Sequence, residues 1–171
     1  MTAVVPAGAA AGAPAQYLSF MLGGEAYAIA ILAIREIIEY SGLTDVPMMP
    51  ECVRGVINLR GAVVPVIDLQ ARFGRTMTAP TRRTCIVIVE TAQHGERQVS
   101  GVVVDAVNAV LDIAPADIER APAFGARIRS DFIVGMAKAD GKFIIVLDVD
   151  QVLAFEPDAS LPLPTLALAA A

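Results

Sequence analysis

Two stretches of the chain, GVINLRGAVVPVIDL (Gly55 to Leu69) and GMAKADGKFIIVLDV (Gly135 to Val149), align without a gap at an offset of 80 residues. Each opens on glycine, has a second glycine at the seventh position, and runs on through apolar residues to an aspartate and one more apolar residue. Arg60-Gly61 and Asp140-Gly141 sit between the apolar runs, and Asp-Gly is among the strongest two-residue hairpin signals. The period is too long for a solenoid array. A unit of about 60–70 residues has a marginal core by itself, so two copies of one small unit are expected to pack against each other.

The repeat extends beyond these hairpins. YLSFM resembles CIVIV, and IREIIE (Ile34 to Glu39) overlays VNAVLD (Val107 to Asp112). YLSFML meets EAYAIAI across Gly23-Gly24, while TCIVIVE and VSGVVVDAVNAVLDI supply further strands rich in Val and Ile. Asp68 is placed to cap a helix over LQARFG that Gly74 stops, and Asp148 one over VDQVLAFE with Pro157 just beyond. The pattern predicts a mostly β fold of two small five-stranded β-barrels that share a hydrophobic interface, with short helices after the barrel hairpins. The barrels take residues 16–78 and 79–156. A hydrophobic share of 56% and a mean hydropathy of +0.61 supply the core this requires.

The Ala-, Gly- and Pro-rich ends, 1–15 and 157–171, bury little and read as mobile tails. Deleting both is expected to leave the melting temperature and partner binding nearly unchanged. Pro6, Pro14 and the glycines between them oppose a spanning helix, and the first residues lack the basic start and apolar centre of a signal peptide. Cys52 and Cys85 form neither a disulfide framework nor a ligand spacing. These features point to the cytoplasm.

Chemistry finds little to work with. The single histidine, His94, lies in a turn with no Cys or carboxylate at metal-ligand spacing. No serine stands in a nucleophile elbow, and no glycine-rich loop has phosphate-cradle form. A net charge of −5, no tryptophan, and only two lysines, Lys138 and Lys142, disfavour a nucleic-acid module with a basic groove and stacking aromatics. No enzyme, metal or cofactor is expected.

Comparing the copies is more informative. Where both keep an apolar residue, packing is sufficient cause. Where one copy changes chemical type, folding alone does not require the choice. Glu36 faces Ala109, and Arg60 at the hairpin tip faces Asp140. A surface pair between Glu36 and Arg60 would contribute only ~0.2–1 kcal/mol. Recognition of a partner is a better reason to place them, since a rigid hairpin presents a guanidinium at little entropy loss.

At this point YLSFMLGGEAYAIAILAIREII, VRGVINLRGAVVPVIDLQARFG and GVVVDAVNAVLDI resemble the CheW family of bacterial chemotaxis coupling proteins, over roughly Gln16 to Glu156. Related domains in the histidine kinase CheA and in CheV share that fold, but this chain has no room for a kinase or receiver domain. The resemblance implies two interlocked SH3-like or OB-like barrels. It also allows strands to exchange between them, so the midpoint near Thr78 is not a clean border. It implies a non-enzymatic adaptor in the cytoplasm, at receptor arrays near the inner membrane. Such an adaptor joins the cytoplasmic tips of methyl-accepting chemoreceptors to the CheA regulatory domain, without nucleic acid and without membrane insertion. A receptor helical hairpin would lie in the groove between barrels, and one barrel end would meet the matching barrel of CheA. By similarity Arg60 (in NLRG) and Glu36 (in the REI strand) are linked to coupling, and Gly55 matches a glycine of the receptor-facing groove. The Ala-rich tails and MMPECV, with Cys52, depart from the family pattern. A parallel chemosensory pathway, controlling pili, gliding or a second messenger, and a small-molecule-binding or catalytic barrel are the alternative readings.

Overall fold

The structure, a computed structural model, describes residues 14–50, 52–75, 79–93, 95–120, 132–139 and 141–154. His94, Asp140 and both terminal stretches, apart from residues 14 and 15, lie outside them. Among the described residues eleven strands follow in order: β1 (Ala15–Leu22), β2 (Glu25–Ala30), β3 (Ile34–Glu39), β4 (Val53–Leu59), β5 (Ala62–Asp68), β6 (Cys85–Gln93), β7 (Glu96–Val104), β8 (Ala106–Ile113), β9 (Ile118–Glu119), β10 (Ile133–Ala139) and β11 (Lys142–Leu147). Two one-turn helices, α1 (Leu69–Arg72) and α2 (Val149–Val152), follow β5 and β11. They are shorter than the capped segments LQARFG and VDQVLAFE read from the sequence, but their caps are those expected. Asp68 accepts from the Ala71 amide, and Asp148 accepts from the Gln151 amide.

The strands form two sheets, in the orders β8-β1-β2-β11-β10-β9 and β3-β6-β7-β5-β4. Each sheet draws on both halves of the chain. The exchange is reciprocal: β1 and β2 leave the first half to sit beside β11, and β6 and β7 leave the second half to sit beside β5. The chain changes sheets at two places, the 3-10 turn Ile31–Ala33 between β2 and β3, and Asp105 between β7 and β8. The Asp105 carboxylate accepts from the Gly23 amide at 2.8 Å and its own amide donates to the Met21 carbonyl, which holds the second crossover against the β1–β2 turn.

Read in repeat order, the two sheets have the same strand sequence, and β9 adds a sixth strand to one of them. Even the irregularities match. Ile34 pairs Val89 and Val107 pairs Phe20, each followed by a bulge that brings Glu36 opposite Ile88 and Ala109 opposite Ser19. This register makes Phe20 the counterpart of Val89, one residue away from the overlay of YLSFM on CIVIV. Burial causes the slip, because in both strands the alternate residues facing the shared core must coincide.

Gly55 and Gly135 occupy matched bulges, between Val53 and Gly55 on β4 and between Ile133 and Gly135 on β10. A Cβ at Gly55 would lie 2.5 Å from the Thr44 carbonyl oxygen, and one at Gly135 would lie 2.5 Å from that of Glu119. Gly55 also has φ +154°. The repeated glycine is thus a place where a second backbone segment closes on the sheet. Gly55→Ala and Gly135→Ala are each expected to destabilise by about 2–3 kcal/mol in urea unfolding, with Gly55 the worse because strain adds to the clash.

The core lies between the sheets. Phe20 stacks on Tyr27 (6.3 Å between centroids), and tilted contacts continue the row from Tyr27 to Phe73 (5.8 Å) and from Phe73 to Phe132 (6.1 Å). Around this row pack Leu18, Ile29 and Leu147 from one sheet and Ile67, Val87 and Val102 from the other. This is the shared hydrophobic interface that the duplication predicts. Each barrel also has a minor core of its own, and these differ in size. One holds Ile57, Val64, Val66, Ile86, Ile88 and Val103, whereas the other holds Ile113, Ala137 and Val146. Ala137 replaces Ile57 and Ser19 replaces Ile88, and a hollow of about 630 Å³ opens beside the exposed Phe143.

Candidate functional site

In the five-stranded sheet β3 and β4 are the two edges, four strands' width apart along the hydrogen-bonded order. Side chains nevertheless join them. Arg60, at the tip of the β4–β5 turn, forms an ion pair with Glu36 on β3, its two terminal guanidinium nitrogens donating to the two carboxylate oxygens. Further along the same edges Arg54 donates to the Tyr40 hydroxyl at 2.6 Å and stacks over the Tyr40 ring. The sheet therefore curls on itself, and charged contacts hold the seam. Among the described residues of the other sheet the matched places are uncharged: Ala109 stands for Glu36, Val134 for Arg54 and Ile113 for Tyr40.

Glu36 and Arg60, singled out separately in the sequence, are brought together here. Arg60 and Gly61 both have positive φ, as a tight two-residue hairpin turn needs, and the Gly61 amide donates to the Asn58 side chain. The Arg60 side chain is 70% exposed and that of Glu36 is 28% exposed. The hydrogen bond from Arg60, helped by the charges of Arg60 and Arg35, holds the Glu36 carboxyl below the usual carboxylate range. The pair is intact at neutral pH, and its contribution is lost only as pH falls through that lowered value. Gly55 does not join this pair. It is buried at the β4 bulge against Thr44, where it closes the backbone.

The residue between the bulge partners on β4 is Arg54, and bulges re-aim a side chain. Its guanidinium is turned onto Asp68 at 2.9 Å, with the two side chains 13% and 2% exposed. Asp68 thus serves two masters, Arg54 through one oxygen and the Ala71 amide through the other. Sequence reading identified only its cap. Comparison of the copies held the signal, because Arg54 aligns with Val134 just as Glu36 aligns with Ala109. Burial pushes the Cys52 thiol up, so it stays protonated and packs as a small hydrophobe beside this pair.

A groove of about 530 Å³ runs where the sheets meet, with Leu32 of the first crossover, Val134, Arg35, Arg97, Asp148 and Asp150 among its walls. Leu32 is 96% exposed and Val134 52%. Arg35 and Arg97 share Glu90, at 3.5 and 2.9 Å. Among the described residues no group of three or more His, Cys, Asp or Glu is placed to hold a metal ion, and no helix is long and apolar enough to cross a membrane.

Comparison with known proteins bears on this geometry. Residues 16–156 match the family described as the CheW-like domain. The chain is 32% identical over 141 residues to the chemotaxis protein CheW of Klebsiella aerogenes, covering 82% of each chain. It is 33% identical over 141 residues to the chemotaxis protein CheW of Rhizobium meliloti, covering 82% of this chain and 88% of that one. Among solved structures, the scaffolding protein TtCheW from Thermoanaerobacter tengcongensis superposes with a TM-score of 0.75 at 32% identity, over 92% of this chain and 96% of that one. The duplicated hairpin, the exchanged sheets and these likenesses agree, and the chain belongs to the CheW-like domain family.

Proposed function

We propose that this protein is a non-enzymatic adaptor that couples the cytoplasmic tips of chemoreceptors to the regulatory domain of the histidine kinase CheA. The observation that carries the reading is the match of residues 16–156 to the CheW-like domain, among whose relatives are two chemotaxis proteins of that name and a scaffolding protein. The surface supports a role in binding. The Arg60–Glu36 pair is charged, exposed and held on a hairpin, the groove opens between the sheets, and Phe143 is 59% exposed at a hollow of mixed lining. Exposed apolar area beside a hollow is more use to a protein partner than to a monomer in water. In this reading the receptor hairpin takes the groove, one barrel end meets the matching barrel of CheA, and Arg60 with Glu36 contributes to coupling. The adaptor works in the cytoplasm, at receptor arrays, with its attachment to the membrane made through the receptor.

Reconstitution with a receptor cytoplasmic fragment and CheA tests this. Receptor control of CheA autophosphorylation is expected only when the adaptor is present. Kinase activity that is the same with and without the chain would reject the proposal. Expression with the chemosensory systems of one host, followed by capture of receptor and kinase, assigns the pathway.

A further inference from the structure

The two copies are each other's control. In the first, Asp68 carries Arg54; in the second, Asp148 stands at the matched place after β11 and Val134 at the place of Arg54. The surrounding backbone is the same. The Asp68 amide donates to the Cys52 carbonyl at 2.7 Å and the Asp148 amide to the matched Phe132 carbonyl at 2.8 Å. Each carboxylate gives one oxygen to its own short helix, Asp68 to the Ala71 amide and Asp148 to the Gln151 amide. The other oxygen of Asp68 takes a guanidinium. Asp148 has no cation partner among the described residues. Shortening the bulge side chain from arginine to valine both opens the groove and leaves a half-buried carboxylate on its wall.

We propose that the groove receives an apolar helical segment bearing one arginine or lysine, and that this cation seats on Asp148 as Arg54 seats on Asp68. The proposal rests on the receptor-coupling reading and assigns that segment to the receptor tip. Leu32 and Val134, both exposed on the groove, supply the apolar contact. Charge along the groove gives the segment a direction. Arg35 and Arg97 share the single carboxylate of Glu90, so that wall has excess positive charge, while the Asp148 carboxylate stands at the α2 end. A segment with its cation toward α2 and a carboxylate toward Arg35 and Arg97 is complementary, and the reverse orientation sets like charges together.

Two variants test this against a receptor cytoplasmic fragment by calorimetric titration. Asp148→Asn keeps the helix cap, because Asn caps as well as Asp, but removes the charge. Val134→Arg supplies an internal guanidinium in the manner of Arg54. Each is expected to weaken the fragment by about tenfold or more, with the melting temperature held and, for Asp148→Asn, a shallower dependence of affinity on salt. Wild-type affinity in both variants would overturn the proposal while leaving the coupling reading in place. If the wild-type chain does not bind the fragment, the coupling reading fails, and titration with N-acetyl-arginine amide decides the site separately. Arginine amide is expected to shift the Gln151 amide resonance, which the neutral citrulline amide should not do, and the shift should vanish in Asp148→Asn. Equal shifts from the two amides, or none, would overturn it.

Discussion

Asp68→Ala is expected to be the most destabilising single polar substitution in the described chain. Asp68 is 1% exposed and holds Arg54 at 2.9 Å. Removing it leaves a guanidinium buried without its carboxylate, a loss of about 3–5 kcal/mol, to which the lost helix cap adds about 1 kcal/mol. In the intact protein burial works against the Arg54 charge and the contacts with Tyr40 and Asp68 outweigh it; without Asp68 the guanidinium still does not deprotonate, because arginine is charged at any pH a protein meets. For a chain of this size that combined loss lowers the melting temperature by roughly 8–24 °C. The internal comparison sharpens the test. Asp148→Ala removes the matched cap where there is no ion pair, so it should cost only about 1 kcal/mol. Equal melting temperatures for the two variants would show that the Arg54–Asp68 pair contributes nothing net.

Arg60→Glu is expected to have the largest effect on coupling with the smallest effect on folding. The pair with Glu36 lies at the surface and is screened by solvent, so its loss should change the melting temperature little. Reversing the charge at a protein interface sets like charges together, and binding in a pull-down with receptor and CheA should fall by roughly tenfold or more. Glu36→Arg should act similarly, and Asp140→Arg should matter much less. Because Arg60 and Glu36 touch, the double exchange Arg60→Glu with Glu36→Arg separates two roles. It rebuilds the intramolecular pair with its sign reversed. Coupling that stays lost means the partner reads the charges, whereas recovered coupling means the pair serves only to hold the seam. Thermal melts of all variants are needed beside the pull-downs, and a loss of coupling that follows unfolding would remove the recognition role.

The repeat, the hairpins, the two caps and the shared apolar interface were legible in the residues alone. They depend on short-range rules: turn glycines at fixed positions, alternation along strands, and an aspartate one residue before a helix. Glu36 and Arg60 were legible as oddities for a related reason, since the second copy shows what folding needs at those places. What they do together was not legible. Glu36 lies on one edge strand of a five-stranded sheet and Arg60 on the turn that ends the opposite edge strand, and only the curl of the sheet brings them within hydrogen-bond reach. The same holds for Arg54 and Asp68, which a bulge turns toward each other, and for the reciprocal exchange of β1–β2 with β6–β7. Local sequence determines which segments are strands and where they turn. Which strands become neighbours is decided by burying both apolar faces at once, around the row from Phe20 to Phe132, and that is a property of the whole packed chain.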